Sequence, residues 1–157
     1  MRLWHKSLIH VLPRQQLLGQ WRECSSIAGN ILTKGTPNHI LVNKIMDYPI
    51  DHFITYAALV RGEMGNRGYK TMDSVANKII SLKPDWKAIP ADKLYDQWMD
   101  NTYLTICYWN LVEKYQCGGI SQEEWDKIKN FINTCEYRPI ILYTKKFIDI
   151  ISYVAYN

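Results

Sequence analysis

Long apolar runs are missing from this chain of 157 residues: nothing approaches the about 18 residues that a membrane-crossing helix needs, and Met1–Trp4 carries Arg2 with no apolar signal-peptide core behind it. The chain is therefore expected to be soluble, unexported and cytoplasmic, with no membrane partner. Glycine and proline are sparse, at 8 and 6 residues, which excludes fibrous and low-complexity architectures. With 47% hydrophobic and 22% charged residues, disorder is excluded as well. Cys24, Cys107, Cys117 and Cys135 are too few and too widely spaced for a disulfide framework, and no C-x2-C pair begins a zinc site. A Walker A loop, G-x-G-x-x-G, G-x-S-x-G and H-E-x-x-H are all absent. His5 with His10, and His39 with His52, lack a helical i, i+4 spacing with a third ligand nearby, so neither a metal nor a cofactor is expected.

Acidic residues are scarce in one region. The net charge is +4, yet Met1–Met46 contains Arg2, Lys6, Arg14, Arg22, Lys34 and Lys44 against Glu23 alone, so this third of the chain carries more than the whole excess. A lone glutamate there is either a counter-ion for Arg22 and its neighbours or a functional acid held in a basic groove.

A chain of this length buries roughly 70% of its unfolded surface, enough for one core. No repeat and no Gly/Ser-rich linker divides it, so residues 1–157 are expected to form one compact helical domain with short irregular connections. Pro13 introduces a first helix, whose buried face would carry Leu17, Leu18, Trp21, Cys24, Ala28 and Ile31 before the turn Lys34-Gly35-Thr36-Pro37. Its polar face shows Gln15, Gly19, Arg22, Glu23, Ser26 and Asn30. Asn38–Met46 has no clean period. A second helix is expected over about Ile50–Arg67, with Phe53, Tyr56, Ala57, Val60 and Met64 inward, and a shorter one near Ser74–Leu82. From Ala91, the series Leu94, Trp98, Tyr103, Ile106, Leu111 and Tyr115 suggests a long or broken helix ending at Cys117-Gly118-Gly119. Ser121 and Glu124 form a capping box for a helix reaching about Cys135, and the apolar tail from Arg138-Pro139 is read as a further helix. Trp21, Trp98 and Trp125 fall on inferred core faces, whereas Trp4 has no periodic context that decides between packing and base stacking.

The opening Met1-Arg-Leu-Trp-His, followed by Leu8, Leu12, Gln15, Leu17, Trp21 and Arg22-Glu23, resembles the pyrimidine-dimer DNA glycosylases of the phage endonuclease V type, in particular a bacterial branch that begins with the same five residues. Asp47-Tyr48-Pro49 and Arg67-Gly68-Tyr69 are similar to the bounds of that family's second helix. Gln16 and Ser26 stand where the family has a histidine and an arginine. The resemblance implies a compact α-helical DNA-repair enzyme that binds damaged duplex DNA as a monomer at the nucleoid, flips a nucleotide, and needs no metal. The chain's own α-amine would attack the deoxyribose C1′, form a Schiff base and cut the strand by β-elimination. Arg2 is too large for removal of the initiator methionine, so the amine would be that of Met1. An α-amine has a reference pKa of about 7.7–8.0, which leaves a usable neutral fraction near neutrality.

The resemblance assigns Glu23 to proton transfer and charge stabilisation and, by position, Arg22 to DNA contacts, which Arg2 and Arg14 are expected to share by their charge and Gln15 as part of the shared pattern. His39, after the Pro37 turn in the basic segment, is a further candidate for the groove. The alternative from the same residues is a non-catalytic DNA-binding module that keeps the basic face, and the plainest reading is a helical interaction protein whose basic segment is a solvated surface.

Overall fold

The computed structural model describes residues 1–135, so the expected tail helix after Arg138-Pro139 lies outside the described residues. The described chain is mostly α, and it groups into two compact units that meet in sequence at Met99 and Asp100.

In the first unit, helix α1 spans Arg14–Lys34, with Pro13 fixing its entry and Gly35, at φ 71°, closing it by donating its N–H to the Ile31 carbonyl. Its inward face holds Leu17, Gln20, Trp21, Cys24, Ile27 and Ala28. Leu18 and Ile31 lie at the edge of that face, half-buried, and the fully enclosed places expected for them go to Gln20 and Ile27. Helix α2, Ile50–Asn66, buries Phe53, Tyr56, Ala57, Val60 and Met64 as the 3.6-residue period requires. Helix α3, Asp73–Ile80, adds Ala76 and Ile79, and α1 packs against both α2 and α3.

Two 3₁₀ helices, Lys6–Val11 and Asn43–Asp47, occupy the stretches without a readable period. The first is tied down at both ends. At its start the Ser7 N–H donates to His5 Nδ1 at 3.2 Å, which leaves the proton on Nε2 to bond the Met99 carbonyl at 2.7 Å. At its end the Arg67 guanidinium donates to the carbonyls of Leu12 at 2.7 Å and His10 at 3.0 Å while pairing with Glu63. The Arg67-Gly68-Tyr69 segment thus joins the exit of α2 to the entry of α1, where the Arg14 guanidinium lies 5.8 Å from the centre of the Tyr69 ring.

Residues 91–100 form turns rather than the start of a long helix, with Leu94, Tyr95, Trp98 and Met99 buried. The preceding loop is held by Asp51, whose carboxylate pairs with Lys83 at 2.8 Å and accepts the Lys87 N–H at 2.8 Å.

In the second unit, helix α4 spans Asn101–Gln116 and starts anew at Asp100, whose carboxylate accepts the Tyr103 N–H. That cap sets a register with Leu104, Cys107, Leu111 and Val112 inward, so Ile106, expected inside, is 48% exposed. Helix α5, Gln122–Thr134, carries the expected capping box of Ser121 and Glu124 and buries Trp125, Ile128 and Ile132. Tyr115 stacks on Trp125 at 4.8 Å between ring centres.

The Lys83 ammonium and the Lys87 N–H hold the Asp51 carboxyl below the usual carboxylate range. Its contribution to stability is therefore complete above the unfolded value of about 3.9 and is lost as pH falls through the lower folded value. Asp51→Asn is expected to lower the melting temperature at neutral pH by a few degrees and to give a shallower loss of stability between about pH 5 and pH 2 than the parent shows, as read by thermal melts across that range.

Candidate active site

The segment before the first 3₁₀ helix, residues 1–4, belongs to neither helix nor sheet, so its backbone groups need partners from elsewhere. Gln20 of α1 supplies them. Its Nε2 donates to the Arg2 carbonyl at 3.1 Å, and its Oε1 accepts the Trp4 N–H at 2.8 Å. One side-chain amide thereby pairs with residues 2 and 4 as the N–H and C=O of one residue in a neighbouring parallel strand do. The Tyr56 hydroxyl, from α2, donates to the Trp4 carbonyl at 2.7 Å and lies 3.1 Å from the same Gln20 oxygen. Gln20 is 1% exposed and Tyr56 is fully enclosed, so this polar cluster sits inside the core and its groups are matched to one another. Leu3, also fully buried, anchors the arm between the two bonded residues.

One turn further along α1, Glu23 receives the end of the arm. The Arg2 N–H donates to Glu23 Oε2 at 3.2 Å, and the Met1 α-amine stands 3.9 Å from Glu23 Oε1. Glu23 is about one-third exposed, at 32%, so the pair is open to an incoming molecule. An amine and a carboxylate at this separation leave room for one carbon atom about 3 Å from both. The neighbouring thiol does not compete for that role, because burial, reinforced by the Glu23 charge, pushes Cys24 well above the ordinary thiol range.

The structure brings together Met1, Arg2 and Glu23 among the residues proposed from sequence. The Arg2 guanidinium lies 5.5 Å from the centre of the Trp4 ring, and Trp4, 5% exposed, is a packing residue rather than an open stacking platform. Arg22 is exposed and turns away from Glu23, its Nε donating to the Leu18 carbonyl at 3.3 Å; Glu23 meets the arm instead. Gln15, two turns earlier on the same side of α1 as Arg22, is exposed, as is Arg14. His39 lies beyond the far end of α1 in the turn before the second 3₁₀ helix, half-buried, and no described contact joins it to Glu23. Gln20 and Tyr56 were not singled out from the sequence as site residues. The signal for Gln20 was its place within the apolar stripe, three residues after Leu17 and four before Cys24.

A shallow cleft lined by Trp21, Ile54, Ala57, Ile79 and Trp86 lies on the other flank of α1, since residues 21 and 23 are separated by about 200° around a helix. It is apolar and holds none of the groups just described.

Residues 1–77 match the family model of pyrimidine dimer DNA glycosylase, a span that contains the whole arm, α1 and α2. Over these residues, just under half of its length, the chain is similar to that family. No curated protein and no solved structure matches the chain. The family is one of DNA glycosylases. No helix among the described residues is long and apolar enough to cross a membrane.

Removing the Gln20 amide would leave the Arg2 carbonyl and the buried Trp4 N–H without partners. Gln20→Leu is expected to destabilise the fold by about 2–4 kcal/mol, the cost of leaving one buried and one part-buried group unpaired, while Tyr56→Phe costs about 1 kcal/mol, both measured by urea unfolding.

Proposed function

We propose that this chain is a pyrimidine-dimer DNA glycosylase with abasic-site lyase activity, in which the α-amine of Met1 is the nucleophile and Glu23 the acid/base. The observation that carries this reading is the 3.9 Å approach of the Met1 amine to the Glu23 carboxylate on an accessible surface. The amine lone pair forms a bond to C1′ of the damaged nucleotide as the glycosidic bond breaks, and the departing base leaves with the bonding electron pair. Glu23 stabilises the cationic sugar and accepts the proton that the amine sheds. Opening of the sugar ring gives the iminium, whose C2′ proton is then removed as the C3′–O bond breaks and releases the downstream strand with its 5′ phosphate. The iminium itself provides the electron sink, so the reaction is expected to persist in a chelator.

Arg2, Arg14, Gln15 and Arg22 are assigned to the DNA: all lie in the arm or on the outer side of α1, in the segment where Glu23 is the sole acid. The arginines meet phosphates and Gln15 contributes a neutral hydrogen-bonding group. His39 is assigned to the same groove. The chain acts as a monomer in the cytoplasm, on nucleoid DNA.

The test is borohydride trapping on two duplexes, one with an abasic site and one with a cis-syn thymine dimer. A covalent adduct is expected on both, and it should vanish when one residue is added before Met1, because the extension displaces the amine by about 3.5 Å. Glu23→Gln should reduce strand cleavage at least about a hundredfold while retaining salt-dependent binding to the duplex. No adduct on either duplex, with binding intact, would leave the alternative of a non-catalytic DNA-binding module.

A further inference from the structure

The turn between α1 and the second 3₁₀ helix has an unusual tip. The His39 carbonyl accepts the Val42 N–H at 3.0 Å and the Asn43 N–H at 2.9 Å, which places Ile40 and Leu41 at the two corner positions. Such corners ordinarily hold glycine, asparagine, aspartate, serine or proline. Here they hold two branched apolar residues, with Ile40 85% exposed and Leu41 51% exposed.

The exposure is built rather than loose. Val42 and Ile45, on the C-terminal side of the tip, are fully or almost fully buried. Asn43 Oδ1 accepts the His39 N–H at 3.0 Å and the Thr36 hydroxyl at 3.3 Å, and His39 Nδ1 accepts the Leu41 N–H at 3.3 Å. Asn38 takes the left-handed conformation, at φ 58°, that asparagine tolerates better than most residues. Asn30 fastens the whole turn to α1 by donating to the Pro37 carbonyl at 2.9 Å.

Asn30 also fixes where the tip stands relative to Glu23. The two residues are seven apart, so they share one side of α1 and are separated along it by about 10 Å, the length of about three stacked base pairs. Between Glu23 and Asp47 there is no acid, while Lys34 and Lys44, both exposed, flank the turn.

We propose that Ile40, backed by Leu41, is an apolar wedge that enters the base stack of duplex DNA a few base pairs from the nucleotide addressed by Met1 and Glu23. An apolar side chain inserted between base steps unstacks and bends the duplex, and the flanking lysines hold the phosphates on either side of it. This proposal rests on the reading of the chain as a DNA-binding protein and is independent of the amine chemistry.

The experiment uses a duplex carrying a tetrahydrofuran abasic analogue, which cannot form a Schiff base, with 2-aminopurine at successive positions beside it. The full chain is expected to raise 2-aminopurine fluorescence at one of these positions as the base loses its neighbour. Ile40→Ala should abolish most of that rise and weaken binding to this duplex about tenfold, whereas Ile40→Phe should restore both. An unchanged fluorescence rise and affinity in Ile40→Ala would overturn the wedge, as would Ile40-dependent binding to anionic phospholipid vesicles without any effect on DNA. Failure of the full chain to bind the duplex overturns the wedge together with the DNA reading. Failure to trap an abasic site, with the Ile40-dependent fluorescence intact, overturns only the amine chemistry.

Discussion

An arm of four residues with no helix or sheet of its own can be ordered only if another element completes its backbone hydrogen bonds, and in this chain that element is the buried amide of Gln20. Its two bonds fix the positions of residues 2 and 4, and so determine where the chain begins relative to Glu23 one turn along α1. Because the amide is enclosed, the bonds are not exchanged for water, and the arm is held by a contact whose loss leaves buried polar groups unsatisfied. Tyr56 extends the same logic to α2: the hydroxyl that closes the cluster comes from a helix that also supplies much of the apolar core.

The remainder of the first unit restrains the chain just beyond the arm. His5 reaches the Met99 carbonyl through one ring nitrogen and caps the first 3₁₀ helix with the other, while Lys6 donates to the carbonyls of Leu94 and Ala91. Arg67 gathers the carbonyls at the far end of that short helix. These are long-range hydrogen bonds to backbone groups, the kind that a short irregular segment requires and a regular helix makes for itself.

Periodicity revealed the regular parts of the fold. Pro13 and Gly35 mark α1, the stripe from Phe53 to Met64 is that of α2, and the Ser121–Glu124 box opens α5. It failed where a short polar signal outweighed an apolar series: Asp100 starts α4 afresh, and the register carried over from Leu94 and Trp98 placed Ile106 inside. The 3₁₀ helices were not readable because five or six residues hold too little of any period. At the candidate site, composition alone left Glu23 as a possible partner of Arg22, and the pairing with Met1 came from the resemblance of the opening residues. Gln20 escaped because its partners are backbone groups of a segment whose path has no pattern in the sequence.

The His5 contact with Met99 has a consequence for how such a protein comes into being. The seat of the arm draws on α1, on Tyr56 and, through His5, on the turn ending at Met99, a partner 94 residues away in sequence. Synthesis proceeds from the N-terminus, and contacts of this separation close late because the intervening loop must be ordered first. The arm therefore stays unplaced through much of synthesis and is seated only when the Met99 segment has emerged.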